Sequence, residues 1–131
     1  MLHSFVLFPF FVALVVSYTN PVQGNRDSPD PGVLLHNGVY YAVTTMGWEG
    51  HYFPIWSSTT GTDFKQAGWA MPSPPAWTAC CAYWAPELHI INNRFLLYYT
   101  ARDKSTGRLT IGAAHADSVL GPYIDRGSPL V

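Results

Sequence analysis

Two stretches of this chain can be laid over each other without a gap: Pro31-Gly-Val-Leu-Leu-His-Asn-Gly-Val-Tyr-Tyr41 and Pro86-Glu-Leu-His-Ile-Ile-Asn-Asn-Arg-Phe-Leu96, about 55 residues apart. That offset is close to the length of one propeller blade or array unit. In this register Tyr40 meets Phe95 and Thr45 meets Thr100. One further inserted residue would bring Ile55 near Ile111 and Ser57-Ser58 near Ala113-Ala114. Each unit contains short apolar runs separated by turns. Val33-Leu-Leu35, Asn37-Gly38 and Val39 to Thr45 read as strand, tight turn and strand, because Asn-Gly supplies the positive φ that a two-residue hairpin needs. Further strands are predicted at 51–58, 64–70, 87–91, 94–101 and 109–114, with turns at Thr60-Gly61, Asn92-Asn93 and Ser105-Thr-Gly107. No segment after residue 20 has the period of an amphipathic helix.

Each unit therefore reads as a four-stranded antiparallel sheet. One such sheet cannot bury both faces alone, so the expected fold is all-β, a propeller in which blades stack around an axis. Residues 20–131 supply about two blades, whereas a closed propeller needs at least four. The chain is accordingly expected to be the N-terminal part of a longer domain, with residues 121–131 forming the outer strand of its second blade.

Composition narrows the partners. Seven Lys and Arg face eight Asp and Glu, with only 11% of residues charged and no basic run, which argues against nucleic acid. Five Trp and eight Tyr suit either a packed core or flat platforms for sugar rings. The twelve-residue apolar run Phe5 to Val16 is too short to span a bilayer but suits the h-region of a secretory signal, with small residues near 15–19 for cleavage. Residues 1–19 are thus read as a signal peptide, residues 20–131 as secreted and, after cleavage, free of the membrane.

Cys80 and Cys81 are adjacent and fit neither a zinc motif nor a Cys-x-x-Cys redox motif. A strained vicinal bridge, pairing with a cysteine beyond residue 131, and two buried small hydrophobes all remain open. His36, His51, His89 and His115 lack close ligand spacing and read as surface or packed residues, so no metal or other cofactor is expected.

Chemistry points to two segments. Ser28-Pro-Asp-Pro31 places Asp30 between two prolines ahead of the first strand, where a general base would benefit from a restricted backbone and a structural turn is the competing reading. Tyr83-Trp-Ala-Pro-Glu-Leu-His89 opens the second unit at the equivalent position. There Trp84 is a candidate for stacking on a sugar, and Glu87 for accepting hydrogen bonds from hydroxyls or for a structural role. Asp27, three residues before Asp30, reads as a solvated turn carboxylate.

In order along the chain, Ser28-Pro-Asp-Pro31, Tyr40 to Thr45, Pro54-Ile-Trp-Ser-Ser58, Trp84-Ala-Pro-Glu87, Leu97-Tyr-Tyr-Thr100, Ile111-Gly112 and Leu120-Gly-Pro-Tyr-Ile-Asp125 resemble glycoside hydrolase family 43. The resemblance implies a five-bladed β-propeller that cleaves arabinan, arabinoxylan or xylan, or their oligosaccharides, with inversion. It implies an Asp base, matched by Asp30, a sugar-site aromatic matched by Trp84, a second Asp and a Glu acid. The last two belong to later blades and match no position here. Glu87 does not replace them, so the 131 residues alone are expected to be inactive. A non-catalytic carbohydrate-binding propeller is the rival reading.

Overall fold

The computed structural model describes residues 27–45 and 51–131. The predicted signal segment lies outside them. Eight strands form two four-stranded antiparallel sheets, each in simple sequential order. The first contains β1 (Gly32–His36), β2 (Val39–Val43), β3 (Tyr52–Ser58) and β4 (Lys65–Met71); the second contains β5 (Thr78–Ile91), β6 (Arg94–Asp103), β7 (Leu109–Ala116) and β8 (Ile124–Asp125). Among the described residues there is no helix.

The repeat is a structural one. Gly32 pairs with Val43 and Leu35 with Tyr40 in the first sheet; Glu87 pairs with Tyr98 and Ile90 with Phe95 in the second. Every position is displaced by the same 55 residues. Both hairpins turn on two residues of positive φ, Asn37 (49°) and Gly38 (76°) in one, Asn92 (51°) and Asn93 (59°) in the other. This is the turn whose twist matches antiparallel strands, and asparagine tolerates it better than most side chains.

The second hairpin of each unit departs from the expected register. Val43 pairs with Ile55, 12 residues on, whereas Tyr98 pairs with Ala113, 15 residues on. Ile55 therefore corresponds to Ala113 rather than Ile111, and Ser58 to Ala116 rather than Ala114. The second unit carries three extra residues instead of one, because β6 and β7 stay paired as far as Arg102 and Leu109. The other correction concerns β5, which starts at Thr78 rather than near Glu87. Trp84-Ala-Pro-Glu87 lies inside this long strand, at one of two places where its register with β6 shifts.

The core lies between the sheets. Val43, Phe53, Ile55 and Met71 from the first meet Tyr83, Leu88, Leu97 and Tyr99 from the second. Phe53 packs at 5.2 Å between ring centroids from Tyr99 and 6.2 Å from Tyr83, and Tyr52 meets Tyr83 edge-on at 4.7 Å. Much of the aromatic content of the described residues is thus spent on packing, with Trp56, Trp77, Phe95 and Tyr123 also buried.

The sheets touch by backbone at both ends of this interface. On the inner side, Gly32 lies so near β5 that a Cβ there would fall 2.4 Å from the Pro86 carbonyl oxygen and 3.0 Å from the Glu87 Cα. On the outer side, the Tyr123 N–H donates to the Ala70 carbonyl at 2.8 Å. Close by, Asp125 accepts hydrogen bonds from the Tyr99 hydroxyl, from Trp77 Nε1 at 3.0 Å and from the Gly127 N–H at 2.7 Å. Gly112 makes room for the Tyr99 ring, which any Cβ at that position would strike.

Gly32→Ala is expected to destabilise the chain by about 1–3 kcal/mol, the range for forcing atoms into a packed interface. The obstructing atoms are backbone and cannot swing away. An unchanged urea midpoint would show that the two sheets are not held at this separation.

A second expectation concerns alkaline pH. Burial raises the hydroxyl pKa of Tyr99, helped by its hydrogen bond to Asp125 and that residue's charge. Burial also raises Tyr123, and it raises Tyr83 against the opposing hydrogen bond from Thr78. The folded state therefore keeps these protons after the unfolded chain begins to lose them near pH ~10. Stability should be intact below that pH and fall as pH rises through it, with a smaller fall in Tyr99→Phe. Urea midpoints at pH 8 and 11 that coincide would contradict this assignment.

Candidate functional site

Asp30 stands immediately before Pro31, a position where the proline ring disfavours helical backbone and normally enforces an extended one. It nevertheless adopts φ 51°, in the left-handed region. Flanking prolines alone do not account for this. Thr45, two residues beyond the end of β2, holds the turn from the other side. Its N–H donates to the Pro29 carbonyl at 3.0 Å, and its hydroxyl donates to Asp30 Oδ2 at 2.8 Å. The carboxylate is thereby fixed while Asp30 stays exposed to solvent.

The same hydroxyl oxygen accepts the Ala85 N–H at 3.0 Å. Ala85 is the second residue of Trp84-Ala-Pro-Glu87 and itself has a positive φ of 46°. Its amide is available because the pairing of β5 with β6 is interrupted between Trp84 and Glu87. One threonine side chain thus joins the turn that carries Asp30 to the segment that carries Trp84, across the boundary between the sheets. Non-glycine residues at positive φ cost of order 1–3 kcal/mol each, and pairs of them held by surrounding structure are found where geometry serves a site.

Trp84 pairs with Thr100 and is 39% exposed, whereas Trp56 and Trp77 are buried. Glu87 is exposed and pairs with Tyr98, and its Cα faces Gly32. The structure therefore brings together the heads of the two repeats: Asp30 is linked through Thr45 to Ala85, the residue after Trp84, and Glu87 sits on the adjoining stretch of β5. Among the described residues, three of the four histidines have aromatic neighbours. His36 meets Phe95 at 5.1 Å, His51 stacks on Trp69 at 5.0 Å, and His89 meets Tyr98 at 5.6 Å. Among the described residues no group of three or more His, Cys, Asp or Glu side chains is placed to hold a metal.

Thr45 is the residue that sequence reasoning passed over. Thr45 entered only as the last residue of a predicted strand and of a family-43-like segment, and through its alignment with Thr100, none of which gives it a role.

Two stacked four-stranded sheets, arranged as propeller blades, with a carboxylate and an exposed tryptophan near the seam between them define the class. The family model for Glycosyl hydrolases family 43 matches residues 18–130. The chain is 32% identical to the probable arabinan endo-1,5-alpha-L-arabinosidase C of Aspergillus niger, over 88% of its own length and 38% of that protein's. It superposes on a thermostable family-43 glycoside hydrolase with a TM-score of 0.74 and 35% identity, covering 88% of this chain and 37% of that one. A family 43 enzyme of Xanthomonas citri in complex with xylotriose gives a TM-score of 0.72 at 20% identity, covering 85% and 35%. The chain belongs to glycoside hydrolase family 43, and its two sheets are two blades of a five-bladed β-propeller. It spans a little over a third of the length of these relatives.

Replacing Thr45 by valine keeps the shape and removes both side-chain hydrogen bonds. The Ala85 amide should then exchange with solvent about 5–10-fold faster, the consequence of losing one bond of roughly 1 kcal/mol. Thr45→Ser should exchange like the parent. Equal rates in Thr45→Val and the parent would mean that the hydroxyl does not hold the second blade.

Proposed function

We propose that this chain is the base-bearing portion of a secreted glycoside hydrolase that cleaves pentose-containing polysaccharides or oligosaccharides, arabinan, arabinoxylan and xylan among them, with inversion. The observation that carries the reading is the placement of Asp30: an exposed carboxylate, anchored through Oδ2 by Thr45 and tied by it to the segment of an exposed tryptophan. The relatives support the substrate class, one being a probable arabinan endo-1,5-alpha-L-arabinosidase and another having been solved with xylotriose. The apolar run at residues 5–16 supports export.

In this reading Asp30 takes a proton from a water molecule whose oxygen attacks the anomeric carbon. A carboxylic acid on the opposite side of the sugar protonates the departing oxygen, and the configuration inverts in one displacement. Fixing one carboxylate oxygen restricts the direction from which the water is held, which matters because catalysis by a base depends on orientation as much as on proton affinity. Trp84 offers its exposed ring to the apolar face of a sugar, and Glu87 offers hydrogen-bond acceptors beside it. The general acid and a second aspartate that orients it are assigned to other blades of the propeller. On that assignment residues 1–131 alone bind sugar weakly and do not hydrolyse it.

The test uses a protein in which this chain is continued through the remaining blades. It should release reducing sugar from arabinan or xylan oligosaccharides, and Asp30→Asn should lower kcat by about 10²–10⁴-fold, the usual contribution of a general base, with an unchanged melting temperature. Full activity in Asp30→Asn would remove Asp30 from the reaction. Sugar binding without hydrolysis in the parent protein would point instead to a carbohydrate-binding propeller.

A further inference from the structure

In a regular strand, neighbouring side chains point to opposite faces, so two consecutive cysteines cannot meet. Cys80 and Cys81 lie in β5 but escape this alternation. Pairing of β5 with β6 is irregular between Thr78 and Tyr83, and Cys81 has a φ of 76°, which breaks the alternation. The break places both side chains toward one side of the chain, and the neighbouring Cys80 thiol, ahead of burial, raises the Cys81 pKa. Both residues are exposed and both are free thiols. The segment is closed around them by the Tyr83 hydroxyl, which bonds to the Thr78 hydroxyl and, at 3.4 Å, to the Ala79 carbonyl.

We propose that Cys80 and Cys81 form a reversible dithiol–disulfide site that reacts with low-molecular-weight disulfides and closes to an intrachain ring. The reaction balances without any other reagent. One cysteine thiolate attacks a sulfur of the small disulfide and releases one small thiolate, leaving a mixed disulfide on the protein. The neighbouring cysteine, on losing its proton, attacks the protein-bound sulfur and expels the second small thiolate. The two protons lost by the cysteines reappear on the two small thiols, the protein is oxidised by two electrons and the reagent is reduced by two.

The backbone makes this site unusual. Across a trans peptide consecutive Cα atoms are 3.8 Å apart, less than the usual separation of disulfide-bonded residues, so a ring between neighbours is strained and readily reduced in a free chain. Here the left-handed φ of Cys81 already removes the opposite-face arrangement of a regular strand, so the fold contributes part of the cost of closure. The pair also lies on the same strand as Trp84, which follows Cys81 by three residues. The inference stands on the geometry of β5 and does not depend on the hydrolase reading.

The experiment equilibrates the full 131-residue chain in glutathione buffers of stepped ratio, quenches with acid, and maps the peptide containing both cysteines by mass spectrometry. The expected product has lost two hydrogens, resists alkylation and carries no glutathione, and it should form about 10-fold more readily in native buffer than in urea. Near-UV circular dichroism recorded alongside reports the packed aromatic core. Cys80→Ser should instead retain one glutathionyl group on Cys81, and Cys81→Ser one on Cys80. Stable glutathione adducts on both cysteines of the parent, linkage to a second chain, or ring formation equal in native buffer and urea would each overturn the proposal.

Discussion

The close approach of Gly32 to the Pro86 carbonyl governs everything else in this structure. Two sheets with apolar inner faces attract each other at any separation that excludes water, but only one separation lets side chains interdigitate fully. A glycine at the inner end sets that separation by allowing backbone to meet backbone. At the outer end the Tyr123 N–H and the Ala70 carbonyl close the same wedge with a hydrogen bond. Between these two points lie Phe53, Tyr83 and Tyr99, large rings whose edge-on and tilted contacts would be lost if the wedge opened by even an ångström or so.

Asp125 shows how a polar group is made compatible with that interface. It belongs to a two-residue strand, which by itself contributes little pairing energy. Its carboxylate gathers a tyrosine hydroxyl from β6, an indole N–H from the connection between the sheets and a backbone N–H from the following turn. Charge-assisted bonds of this kind are worth about twice neutral ones. They let a short, partly exposed strand fasten the outer edge of the second sheet to the middle of the core. The hydrophobic contacts supply most of the stabilisation, and this carboxylate fixes where they occur.

Much of this was legible in the residues. Asn37-Gly38 and Asn92-Asn93 announce the hairpins because few other dipeptides accept two positive φ values, and the 55-residue displacement between them survives in the pairing residue by residue. The second hairpin of each unit was not legible to the same precision. A connection of variable length leaves no mark on hydrophobic alternation, so one inserted residue and three look alike until the partners are known. The long β5 was hidden for a different reason: Cys80-Cys81 and Ala85-Pro86 interrupt its period at the two places where its register with β6 shifts. Asp30 and Trp84 could be singled out because carboxylates and aromatics carry recognisable chemistry. Thr45 could not, since a threonine after a strand has many uses and its role here depends on a contact with Ala85, 40 residues away.

The position of Asp30 follows from the same constraint that sets the sheet separation. A residue in the left-handed region ahead of a proline is unfavourable in isolation, and it persists only where other bonds outweigh the cost. Those bonds come from Thr45, whose hydroxyl reaches Asp30 and Ala85 at once only if β1 and β5 lie as near as Gly32 permits. Move the second sheet away and Thr45 loses one partner; the carboxylate is then free to rotate with its backbone. The exposed acid at the head of the first blade is thus preorganised by contact with the second blade. Duplicated four-stranded units give the fold its shape, and the seam between them gives the candidate site its geometry.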